Sequence, residues 1–108
     1  MSRGGSGNRL ERALRAVFAS HDVELVCESR TSRPWTSITF AGERHALALT
    51  VTGAEAGTAA DAFLAGLGDI DMKLPGHLLV DISAVSDERD ADGSRVRLGL
   101  EALTVETG

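Results

Sequence analysis

The stretch WTSITFAGERHALALTV, Trp35–Val51, decides how this chain is read. Its two halves alternate apolar and polar residues, the period-two pattern of half-buried strands. Between them Gly42–Glu43 suits a two-residue loop, with Gly at the first central position of a type II′ turn. That turn pairs Phe40 with His45, Ile38 with Leu47 and Thr36 with Leu49, giving one apolar face. Trp35, Ser37 and Thr39 fall on the other face, against Ala46, Ala48 and Thr50. Trp35 and His45 thus point to opposite sides of the sheet and do not form one site.

Upstream, Val23, Leu25 and Cys27 share one face of a strand over Val23–Ser29. Arg30–Pro34 is expected to interrupt that strand, because Pro34 donates no backbone hydrogen bond. Before it, Leu10, Ala13, Leu14, Val17 and Phe18 recur at the spacing of one helical face. Asn8 can cap that helix, with Glu11 placed to complete a capping box. The Gly- and Ser-rich Met1–Gly7 reads as a flexible tail, leaving residues 8–108 as a single domain.

Downstream, Gly53–Gly57 leads to a second helix over about Thr58–Leu67, with Ala60, Phe63, Leu64 and Leu67 as its stripe. Thr58 can cap it and Gly68 suits the position after its end. Pro75–Gly76 fits the centre of a type II turn that delivers the chain into a strand over His77–Ser86. There Leu78, Val80, Ile82 and Ala84 share a face. After a polar loop, Asp87–Ser94, the last strand covers Arg95–Glu106, with Val96, Leu98 and Leu100 inward. Leu103 and Val105 lie on the opposite face, which calls for a bulge near Glu101–Ala102 or for burial on both faces.

The order is α-β-β-β-α-β-β, an α+β fold. We expect a two-layer sandwich, an antiparallel sheet of about five strands with both helices on one face.

Composition narrows the function classes. The 108 residues fit one domain, and 43% hydrophobic with 25% charged residues is ordinary for a globular protein. No run approaches the length of apolar sequence that a membrane span needs. The net charge of −5 divides unevenly: residues 1–44 carry about +2 and residues 45–108 about −7. An acidic chain argues against nucleic acid as a partner. A single cysteine, Cys27, makes no internal disulfide, and a cytoplasmic location is expected.

Several residue groups invite a chemical reading. His45 beside Phe40 could act as a ligand or base, but reads better as a half-buried residue at the rim of the core. His77, Asp81 and Ser83 lie on one face of a strand, at a rise of about 7 Å between neighbours, too far for a nucleophile–base hydrogen bond. Asp81 is better placed as a cross-strand charge pair with Arg97 or Arg95. Glu88, Asp90, Asp92 and Gly93 imitate half a calcium loop, yet Gly99 stands where a bidentate Glu is required. Asp69 and Asp71 lack a third ligand. Cys27 has no catalytic partner beside it and reads as a small core residue. Arg9, Arg12 and Arg15 form a basic stripe on the first helix, most simply a solvated face. No catalytic residue, metal site or cofactor is expected.

Trp35 is the residue that points to function. An indole projecting over Ser37, Ala48 and Thr50 is an apolar surface with little to cover it, the character of an interface anchor. We therefore expect a noncatalytic protein-interaction module, a homodimer or a partner of another protein, using the sheet face of Trp35, Ser37, Ala48 and Thr50. The alternative is a small-molecule-binding or enzymatic domain with its pocket between sheet and helices, near His45 or His77.

Overall fold

A computed structural model of the chain describes residues 5–107. The expected tail over Met1–Gly7 lies outside the described residues as far as position 4. Gly5–Gly7 instead form the first turn of α1, Gly5–Phe18. Asn8 is therefore inside the helix and does not cap it. Ser6, Leu10, Leu14 and Phe18, each four residues apart, are the buried stripe.

The sheet has four antiparallel strands in the order β1-β2-β4-β3. They are β1, Glu24–Thr36, β2, Ala41–Thr52, β3, His77–Arg89, and β4, Arg95–Glu106. The order is α-β-β-α-β-β, so the expected fifth strand is absent among the described residues. What the sequence divides at Arg30–Pro34 is one continuous strand. Pro34 is accommodated because β1 is a sheet edge, where a missing N–H need not cost a ladder bond.

The β1–β2 hairpin also turns earlier than expected. Its loop is Ser37–Phe40, closed by Ser37 N–H to the Phe40 carbonyl (2.8 Å) and Phe40 N–H to Ser37 Oγ (3.1 Å). Thr36 pairs with Ala41 and Trp35 with Gly42. Ile38 and Phe40, expected inward, are exposed at the hairpin tip.

β3 carries two register breaks, between Leu79 and Asp81 and between Ala84 and Ser86. Each bulge moves the following residues to the other face. Leu78 and Ile82 therefore face opposite ways, and Val80 and Val85 are exposed. β4 pairs with β2 without any break, so Leu103 and Val105 do lie opposite Leu98 and Leu100. Burial on both faces is the outcome: Val105 is 8% exposed and Thr104 fully buried.

Between β2 and β3 runs α2, Ala56–Ala65, ending at Gly66 and followed by a short 3-10 turn, Leu67–Asp69. The helix begins earlier than expected, and Thr58 is within it. Pro75–Gly76 form the expected turn, with Gly76 at φ 80° and His77 N–H bonded to the Leu74 carbonyl (2.7 Å). Both helices cover the same sheet face. Leu10, Leu14 and Phe18 join Phe63, Leu47, Leu49, Val96 and Leu98 in one core, with the Phe18 and Phe63 rings 5.0 Å apart. Among the described residues, the other face of the sheet carries no helix.

Candidate functional site

The two faces of the sheet offer two different sites. On the covered face, one row across the strands reads Ser32, His45, Ala102, Ile82. The α1 stripe sets Ser6 above this row. His45 is 2% exposed, not at the rim as expected, and Ser6 is 1% exposed.

A closed hydrogen-bond chain explains how the imidazole is tolerated there. Thr104 Oγ1 donates to the Glu43 carbonyl (3.4 Å), leaving its oxygen to accept His45 Nε2–H (3.0 Å). That arrangement leaves Nδ1 bare, and it accepts the Ser32 hydroxyl at 2.7 Å. Ser6 Oγ lies 3.4 Å from Nε2 and donates to the Glu43 carboxylate. Burial pushes His45 below its usual value; Glu43 opposes the shift, while Arg30 and His77 add to it. The imidazole is thus neutral and fully engaged.

Ser6 and His45 superficially resemble a nucleophile and base. Neither has the exposure for a substrate to approach, and Nε2 already serves Thr104. The cluster fastens the first turn of α1 to β2 and β4. Its residues lie far apart in sequence, and only the fourfold spacing of Ser6 with Leu10, Leu14 and Phe18 could have revealed it.

The open face is different in kind. Toward the β1–β2 tip its first row is Trp35, Gly42, Val105 and Leu78, an apolar band across all four strands. Trp35 is half-buried, with its Nε1 enclosed and unbonded, while Leu78 is 57% exposed. The next row is Arg33, Arg44, Leu103 and Asp81, followed by Thr31, Ala46, Glu101 and Ser83. These two rows line a groove of about 360 Å³, with the arginines on one side and the carboxylates on the other. Among the described residues, no ion pair within 4.0 Å engages Arg33, Arg44, Asp81 or Glu101. Beyond the groove, Ser29, Ala48, Gly99 and Ser86 form a row of small residues.

Of the expected interface residues, Trp35, Ala48 and Thr50 are on this face, but Ser37 is in the hairpin loop. Trp35 sits beside Gly42, well removed from Ala48 and Thr50, because the hairpin loop comes earlier than Gly42. The expected Asp81–Arg97 pair does not form. The β3 bulges place Asp81 opposite Leu103 and Glu88 opposite Arg97, whose Nη1 is 4.0 Å from Glu88 Oε1.

Other candidates resolve as structure. His77 lies on the covered face, while Asp81 and Ser83 lie on the open one, so the three do not converge. Asp92 is occupied by its own turn, accepting Ser94 N–H (3.0 Å) and Oγ–H (2.7 Å). Among the described residues no group of three or more His, Cys, Asp or Glu could hold a metal. Arg15 donates to the Leu25 carbonyl (2.8 Å), and Glu11 bridges Arg15 and Arg30, so part of the basic stripe ties α1 to β1. Cys27 faces Leu49 on the covered side, where burial and then Glu11 push its thiol up. Among the described residues no helix is long and apolar enough to cross a membrane.

No protein-family model and no curated protein matches the sequence. Among solved structures, a chain from the virion of a native gene transfer agent particle has the same fold. The two superpose with a TM-score of 0.58 and 19% identity, over 97% of this chain and 96% of the other. At that identity the likeness is one of fold.

Proposed function

We propose that this chain is a noncatalytic, self-associating structural subunit of a particle of the gene transfer agent kind. The observation that carries the reading is the open sheet face, where half-buried Trp35 and 57% exposed Leu78 adjoin a groove whose charges have no ion pair among the described residues. Exposed apolar area rimmed by polar groups is the signature of a protein-interaction surface. Nearly end-to-end similarity in fold to a chain of an assembled virion supports the same role. The alternative, a pocket between sheet and helices near His45 or His77, is disfavoured by the 2% exposure of His45.

Two measurements test the proposal. Light scattering over a dilution series should show a mass above the 11.3 kDa of one chain, falling as the protein is diluted. Peptides of this chain should also be found in sedimenting particle fractions from its source cells. A single 11.3 kDa species at every concentration, with no chain in particle fractions, would overturn it.

A further inference from the structure

The open face is complementary to itself. A half-turn about an axis along the strands, midway between β2 and β4, brings a second sheet face to face with the first. It exchanges β1 with β3 and β2 with β4 while keeping each row at its own height. The cross-strand register then sets Arg33 of one copy over Asp81 of the other, and Trp35 over Leu78, each contact occurring twice. Glu101 comes over the small side chain of Ala46, beside Arg44. From the groove outward the next row meets small on small, which lets the sheets approach closely.

We infer that a second copy of this chain covers the open face in an isologous sandwich, with the two-fold axis parallel to the strands. The inference rests on the self-association proposed above and names its geometry. It gives partners to four charged side chains that have no ion pair within their own chain among the described residues. It also covers Leu78, which is otherwise 57% exposed. The perpendicular choice of axis, across the strands, would lay the apolar end on the opposite end of the sheet and set Leu78 against Glu88. Charge and apolarity therefore select one axis.

Size agrees. Four strands at about 4.8 Å and about twelve residues at about 3.3 Å give a face of roughly 750 Å². One partner's share of a standard interface is about 800 Å². The row of Val26, Thr50, Arg97 and Glu88 falls at the far rim, where the twist of about 30° between packed sheets separates them.

Charge reversal tests the geometry. Arg33→Asp alone and Asp81→Arg alone each put like charges together at both symmetric contacts, and each should raise the dimer Kd more than about tenfold. Mixed in equal amounts, the two variants should form a dimer of one of each, since both contacts are then opposite in sign. The double variant R33D/D81R should again dimerise with itself. Recovery in the mixture also shows that neither variant has lost its fold. The geometry is overturned if wild type associates but the single variants do so equally well. It is also overturned if the mixture fails to recover, or if the mass exceeds a dimer as when strand edges join. A wild-type chain that is monomeric throughout would instead remove the self-association reading itself.

Discussion

The indole of Trp35 lies against the bare α-carbon of Gly42. A Cβ at that glycine would stand 3.0 Å from Trp35 Nε1 and would overlap the Thr104 carbonyl oxygen. The missing side chain leaves room for both the β4 backbone at Thr104 and the indole of Trp35.

Gly42→Ala should therefore destabilise the fold by about 1–3 kcal/mol, the usual cost of overpacking. A lowered urea midpoint with an unchanged slope would show it. An unaltered midpoint would mean that the strands separate without cost.

Trp35→Ala should leave the monomer folded and weaken association. An aromatic side chain packed over Leu78 of the second copy contributes about 2 kcal/mol, which is about thirtyfold in Kd. Light scattering with far-UV circular dichroism separates the two effects. Loss of the circular dichroism spectrum would make Trp35 a core residue, and normal association would remove it from the interface.

His45 makes stability depend on pH. Its folded-state value is held below the ordinary 6.5, so in that range the unfolded chain binds the proton more readily than the folded one. Its contribution is fully present above about 6.5 and is lost as pH falls toward the depressed folded value. His45→Ala should cost about 2–4 kcal/mol at pH above that range, through a cavity and hydroxyls left unpaired. The difference between wild-type and variant stabilities should shrink on acidification. A constant difference across the range would contradict the neutral, buried imidazole.

Cys27 should react with a disulfide reagent more slowly in the folded chain than in urea near neutral pH. Burial and the nearby Glu11 both disfavour its thiolate. Equal rates in the two states would place the thiol in open solvent.

Much of this architecture was legible because both helices carry one-sided stripes. Leu10, Leu14 and Phe18, like Ala60 and Phe63, repeat at helical spacing and are buried. The strands misled where alternation broke down. Ile38 and Phe40 look like inward residues, yet they occupy an exposed loop, and the bulges at Val80 and Val85 reverse the phase of β3. Pro34 looks like a break only if its strand is assumed to be central. The opposition of Trp35 and His45 was still legible, because the expected and observed hairpin registers differ by an even number of residues. The His45 cluster was not, since its hydroxyl partners Ser6, Ser32 and Thr104 come from three separate elements.

Trp35 also supplies the most direct measurement of the central claim. It is the one tryptophan in a chain without tyrosine, so its fluorescence has a single source. Acrylamide quenching should be weak at high protein concentration and should increase, with a red shift, as dilution separates the copies. Quenching and emission that stay constant at every concentration would contradict association through the open face.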